Sequence, residues 1–228
     1  MRAAAAAAAL VIGLAACGSV PTASVREGAL RYVALGDSYT IGTSVNAVES
    51  WPSQLVQRVP ELQLIANLGV NGYTSADLIA DELPALADVQ PEFVTLLIGV
   101  NDVVQGVPED SYQANVVEVI GALLATLSAD HVVCVATPDY TATPQGAAFG
   151  SPAQQRAGIQ RVNAILRDAC EARGIRFVPD IFEISQRAAT DRSLVAGDGL
   201  HPSGLQYALW VDAIQPVVEG LLLPSADR

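Results

Sequence analysis

The chain has 228 residues, enough for one domain with a sizeable core, and carries 12 basic against 24 acidic residues, for a formal net charge of −12. That balance repels phosphate backbones and argues against nucleic-acid binding. Every basic residue is Arg, which excludes Schiff-base, Ser-Lys and Walker-A chemistry, and two His (His131, His201) with three Cys (Cys17, Cys134, Cys170) cannot build a four-cysteine zinc site.

The first element is an apolar run, Ala3 to Ala16, behind a single Arg2. It is too short for a comfortable transmembrane helix and suits the core of a signal peptide. The run ends Leu14-Ala15-Ala16-Cys17-Gly18, which resembles a bacterial lipobox. That resemblance implies cleavage before Cys17 and acylation of Cys17, with the protein held at a membrane by its lipid anchor; an ordinary secretory signal is the alternative. Residues 17–30 are small and turn-prone without a hydrophobic period, as in a tether. The expected division is therefore a signal peptide at 1–16, lipidated Cys and tether at 17–30, and one domain at 31–224, exported to the cell envelope.

Short apolar runs follow at Tyr32–Leu35, Leu62–Ala66, Phe93–Ile98, Val132–Ala136 and Ile175–Val178. Most are continuously apolar, as strands covered on both faces must be. Amphipathic stretches alternate with them. Tyr112, Val116, Val119, Ile120, Leu123 and Leu127 mark one helix, and Ile159, Val162, Leu166 and Cys170 mark another that ends at Gly174. A last helix is expected to bury Leu205, Leu209, Ala213, Val217 and Leu221. This alternation predicts an α/β fold with a parallel sheet and right-handed crossovers. Cys134 and Cys170 could pair in an oxidising compartment. Both lie on apolar stretches where buried free Cys is common, so unpaired thiols are the favoured expectation.

In an open parallel sheet, function gathers at the carboxyl ends of the strands. Four polar, Gly-rich segments can share that rim: Gly36-Asp37-Ser38-Tyr39, Asn67-Leu68-Gly69-Val70-Asn71-Gly72, Gly99-Val100-Asn101-Asp102 and Asp198-Gly199-Leu200-His201. Ser38 follows a strand and opens the next helix, where a hydroxyl is exposed as a nucleophile or serves merely as an N-cap. Asp198 precedes His201 by three residues, close enough to hold the imidazole in one tautomer, or simply to cap a turn. Asn101 and a glycine N–H could complete a set of neutral donors for an oxyanion. Gly69 and Gly72 compete for that place, and nothing local separates them.

Together the four segments resemble the SGNH (GDSL-type) hydrolase superfamily over about Tyr32 to Trp210. The resemblance implies a flavodoxin-like three-layer α/β/α fold with a five-stranded parallel sheet in the order 2-1-3-4-5. It implies Ser38 as nucleophile, His201 as base and then acid, and Asp198 as the orienting carboxylate. It places the oxyanion donors at the Ser38 and Gly72 N–H groups and the Asn101 side chain, since the donor in such Asn-x-x-x-x-Gly blocks aligns with the last Gly. Trp51-Pro52 falls where bacterial thioesterase/lysophospholipase-like members carry the same pair, and is read as packing. Tyr73 departs from the Asp or Glu common after that Gly, which puts the hydrogen bonding at the rim in question.

The expected function is ester hydrolysis through an acyl-enzyme on Ser38, with no metal or organic cofactor, by a monomer acting on a small-molecule, glycan or lipid ester. An acyltransferase on envelope glycans or lipids and a non-catalytic carbohydrate-binding lipoprotein are the alternatives. The stretch Pro138–Pro152 follows the fourth strand at the active rim and is either a wall of the acyl pocket or a solvated connector. His131 lies on the far rim, a surface residue.

Overall fold

A computed structural model describes residues 26–222; the expected signal peptide, Cys17 and most of the tether lie outside the described residues. The first described residues are held to the sheet. The Arg26 backbone N–H donates to Gln63 and its guanidinium to the Leu62 carbonyl.

The strands are β1 (Leu30–Gly36), β2 (Leu62–Asn67), β3 (Phe93–Leu97), β4 (Val132–Val135) and β5 (Arg176–Val178). They form one sheet in the order β2-β1-β3-β4-β5, every pairing parallel. The helices are α1 (Ser38–Ile41), α2 (Trp51–Arg58), α3 (Ser75–Asp77), α4 (Leu83–Val89), α5 (Val100–Gln105), α6 (Glu109–Leu124), α7 (Pro152–Glu171), α8 (Ile181–Gln186) and α9 (Gly204–Leu222). A wide π turn, Leu78–Glu82, joins α3 to α4. Among the described residues no helix is long and apolar enough to cross a membrane.

Period-two alternation sends β1, β3 and β4 side chains to two separate cores. Tyr32, Ala34, Phe93, Leu97, Val133 and Val135 pack with Trp51 and Leu55 of α2 and with Trp210 and Ile214 of α9. Val33, Leu35, Val94, Leu96, Val132 and Cys134 pack with Val116 and Ile120 of α6 and Leu166 of α7. Each fully buried aliphatic side chain contributes about 1.5–3 kcal/mol. Strands buried on both faces are what their unbroken apolar runs require.

Two expectations are corrected. Cys134 and Cys170 form a disulfide, with Cα atoms 6.8 Å apart. Both point into the same core, where α7 crosses β4, so the apolar surroundings that favour a free thiol also bring the pair together. The last helix buries a different face: Tyr207, Trp210, Val211, Ile214 and Val218 are inside, while Leu205 is 62% exposed. Helix α9 is apolar nearly all round, so periodicity could not choose between adjacent faces, and the one carrying the large aromatic rings fills the core.

Candidate active site

The carboxyl ends of β1, β2 and β3 bring three of the four Gly-rich segments to one cleft, and the loop before α9 brings the fourth. The cleft holds about 190 Å³ and is lined by Ser38, Gly72, Asn101 and His201 together with Val100, Val104, Tyr140, Phe149 and Leu200.

Ser38 is the first residue of α1. Asp37, not Ser38, is the N-cap, its carboxylate accepting the Tyr39 N–H at 2.9 Å. The Ser38 side chain is thereby left for other work. It is largely buried at the cleft floor rather than exposed. Because α1 is a single turn, the favourable field at Ser38 comes from local N–H groups and not from a long helix dipole.

His201 Nε2 lies 3.0 Å from Ser38 Oγ, and His201 Nδ1 lies 2.6 Å from Asp198 Oδ2. Asp198 Oδ1 accepts the N–H groups of Leu200 and His201. Ser44 Oγ also donates to Asp198 Oδ2, at 2.7 Å. Burial alone would raise the Asp198 carboxyl, but these bonds from His201, Leu200 and Ser44 outweigh it and hold the group well below the usual carboxylate range. An ionised Asp198 favours a proton on Nδ1, which leaves Nε2 free to accept the Ser38 proton. Tyr39 packs its ring 5.2 Å from the imidazole and 6.3 Å from Trp210.

Gly69 and Gly72 are now separable. A Cβ on Gly69 would come within 2.8 Å of the Asp37 carbonyl and the Ile41 nitrogen, and its N–H is bonded to Asn67 Oδ1. Gly69 is a packing glycine. Gly72 has φ +83°, open space about it, and a place on the cleft wall. The Gln105 amide holds the Gly72 carbonyl and Asn101 Nδ2 holds the Tyr73 carbonyl, both at 2.9 Å. These contacts orient the 72–73 backbone and fix the Asn101 amide plane, whose second N–H remains for a ligand.

The departure at Tyr73 is absorbed locally, since its hydroxyl donates to Asp81. Below it the Ser75 N–H and hydroxyl both bind the buried Asp102 carboxylate, and Asn115 donates to Ser75. The Asp102 pair thus ties the Gly72 loop to α5. The stretch after β4 contributes a wall rather than a solvated connector. Tyr140 and Phe149 meet edge to face at 5.5 Å, and Gln155 clasps both the Tyr140 hydroxyl and the Phe149 carbonyl. Gln145 N–H donates to the Gly199 carbonyl, joining this wall to the Asp198 loop.

Of the residues singled out in the sequence, Ser38, Gly72, Asn101, Asp198 and His201 meet here, Cys17 lies outside the described residues, and His131 stands at the amino end of β4. Ser44 and Gln105 carried no motif. The one signal for Gln105 was its spacing of four from Asn101, which puts both amides on one face of α5. An arrangement of this kind can activate a hydroxyl, receive its proton and stabilise an oxyanion with neutral donors.

A protein-family model described as the GDSL-like lipase/acylhydrolase family matches residues 34–209. No curated protein matches the chain by sequence. Among solved structures the chain is similar to TesA, with TM-score 0.65 and 20% identity over 84% of this chain and 99% of that one. It is similar to a member of the lipolytic protein G-D-S-L family from Veillonella parvula, with TM-score 0.68 and 17% identity over 84% and 99%. It is similar also to Axe2, an acetylxylan esterase from Geobacillus stearothermophilus, with TM-score 0.65 and 19% identity over 84% and 95%. At these identities the likeness concerns the fold.

Proposed function

The chain belongs to the GDSL-like lipase/acylhydrolase family and is a carboxylic-ester hydrolase, and from that premise we propose that Ser38, His201 and Asp198 cleave short, uncharged acyl esters at this cleft. Ser38 Oγ attacks the acyl carbonyl while His201 Nε2 takes its proton. The oxyanion forms against the Ser38 and Gly72 N–H groups and the Asn101 amide. Collapse expels the alcohol, which His201 protonates; water then attacks the acyl-Ser38 ester with His201 again as base, releasing the acid and restoring the serine.

The observation that carries this reading is the unbroken relay from Ser38 through His201 to Asp198, 3.0 and 2.6 Å long. The cleft supports the substrate class. Val100, Val104, Tyr140, Phe149 and Leu200 give it an apolar lining without a cation. A cleft of about 190 Å³ suits a short acyl group, acetyl to butyryl, over a long chain. The acidic surface favours neutral over polyanionic substrates.

The same proposal places the protein in the cell envelope, held by a lipid on Cys17. The lipobox-like run supports this, and so does the Cys134–Cys170 disulfide, a bond that persists in oxidising compartments. The test is a series of p-nitrophenyl esters from acetyl to palmitoyl on wild type and Ser38→Ala, with fluorophosphonate labelling. Turnover is expected to peak at short chains and to vanish with the probe signal in Ser38→Ala. Full activity in that variant overturns the reading.

A further inference from the structure

Three carboxyl side chains are buried around the turn that presents Ser38: Asp37, Glu82 and Asp102. Asp102 has Ser75 as its donor. Asp37 and Glu82 are each half satisfied. Asp37 Oδ1 accepts the Tyr39 N–H and Glu82 Oε2 accepts the Gly36 N–H, both at 2.9 Å, whereas Asp37 Oδ2 and Glu82 Oε1 are buried without a hydrogen-bond partner. The two bonds that are made bracket Ser38, one two residues before it and one on the residue after. Glu82 reaches this point from the end of the Leu78–Glu82 π turn.

The titratable groups that face the pair are Asp102 and the buried phenols of Tyr39, Tyr112 and Tyr207 toward Asp37, and Asp81 toward Glu82. None of them is a cation. Two carboxylates buried near one another without a counter-ion are strongly disfavoured, and one retained proton removes the repulsion.

We propose that Asp37 and Glu82 act as one acid pair beneath the nucleophile, with Glu82 a positioning residue: the Gly36–Tyr39 turn holds Ser38 against His201 only while the pair keeps a proton. Burial, the largest influence on both, pushes Asp37 up to about 7 and Glu82 up to about 8, with Asp102 adding to the first and Asp37 to the second. Both folded values exceed the unfolded ones, near 4. The stability contributed by the pair is therefore full below the unfolded values and is lost as pH rises from about 4 through the folded values. Because the carboxyls interact, their protons leave in two steps that belong to the pair rather than to either residue.

The activity readout rests on Ser38 as nucleophile; the stability readout does not. Wild type, Glu82→Gln and Asp37→Asn are compared from about pH 5 to 9.5 for kcat on p-nitrophenyl acetate, fluorophosphonate labelling and Tm. A glutamine at 82 keeps the acceptor for Gly36 N–H and cannot ionise. Wild type is expected to lose Tm progressively from about pH 5 to 8, and to lose kcat by about tenfold per pH unit in the alkaline range once the last proton leaves. Glu82→Gln is expected to abolish the alkaline loss of kcat, to shrink the loss of Tm to the part that Asp37 alone contributes, and to melt higher than wild type at pH 8–9.

A wild type that labels normally but keeps constant Tm and kcat to pH 9 overturns the acid pair alone, as does a folded Glu82→Gln with the wild-type alkaline loss. A wild type whose Tm follows pH but that no probe labels overturns the nucleophile reading, and with it the catalytic half of this proposal. Should the variants fail to fold, carboxyl-carbon NMR of the wild type decides: a Glu and an Asp resonance titrating above about pH 6.5 support the pair, and carboxyls that all titrate below about 5.5 overturn it.

Discussion

Ser44 Oγ donates to Asp198 Oδ2, the same oxygen that faces His201 Nδ1, and it does so from a left-handed backbone with φ 67°. A non-glycine residue in that conformation is held at a cost of about 1–2 kcal/mol, here beside the carboxylate it serves. Replacing Ser44 by Ala should reduce kcat by about tenfold, the value of one hydrogen bond to a charged group. Ser44→Gly should lose the same activity but melt higher than Ser44→Ala, because glycine tolerates the positive φ. Equal Tm for the two would show that the strain is not there.

The same bond predicts an acid-side change. Ser44 favours the ionised form of Asp198, whose folded value is depressed, so the stability it contributes is present above the ordinary carboxylate range and lost as pH falls through the folded value. Without Ser44 the folded value moves up. The low-pH decline of Tm should therefore be smaller in Ser44→Ala than in wild type and should level off at a higher pH, as melting curves between about pH 2 and 6 would register.

Asn101→Ala removes a neutral donor from the oxyanion position. Turnover should fall about 10²–10³-fold, with KM little changed, because that interaction strengthens mainly as the charge develops. A loss in KM alone would mean that Asn101 serves only to hold the Tyr73 carbonyl.

The two glycines of the second segment should respond differently to Ala. At Gly69 the new methyl meets backbone atoms at 2.8 Å on the turn that carries Ser38, and neither partner can move cheaply. Gly69→Ala should lower Tm sharply and misplace the nucleophile. Gly72→Ala meets open space and bears only the conformational penalty, about 1–2 kcal/mol, so it should stay folded with a modest fall in Tm.

The Cys134–Cys170 bond spans 36 residues of sequence and joins β4 to α7. Chain-entropy arguments assign a loop of that length about 4 kcal/mol. The double Cys→Ser variant should lose about 3–5 kcal/mol in urea denaturation, with the esterase cleft intact in the molecules that remain folded. An unchanged midpoint would show that the crosslink adds nothing to stability.

Much of this molecule is legible in one dimension, for reasons that its own residues make plain. Strands covered on both faces need unbroken apolar runs, so β1, β3 and β4 announce themselves, while the half-buried edge strands β2 and β5 carry polar residues such as Gln63 and Arg176 within shorter runs. Their carboxyl ends share one rim by topology, so Ser38, Asn101 and His201 could be expected near one another from four short segments. What failed to be read was symmetric or remote. Helix α9 is apolar on nearly every face, so only the fit of Trp210 and Tyr207 against α2 and the sheet selects the buried side. Cys134 and Cys170 sit on apolar runs whether paired or free, and the decision waits on how α7 crosses β4.

By itself, then, the sequence determined the chemistry on hand and the layout that carries it: no lysine, one histidine on the active rim, one serine at a strand-to-helix turn, and strands that can only pack between two helical layers. Those follow from local composition and periodicity, which act over a few residues. Tertiary structure alone decided which glycine lines the cleft, that Ser44 braces Asp198 across 154 positions, and that the Asp37 and Glu82 carboxyls are buried on the turn that presents Ser38. Such relations depend on distances and solvent exclusion between segments far apart in the chain. No local pattern encodes them, because a carboxyl group or a hydroxyl takes its role from what the fold places beside it.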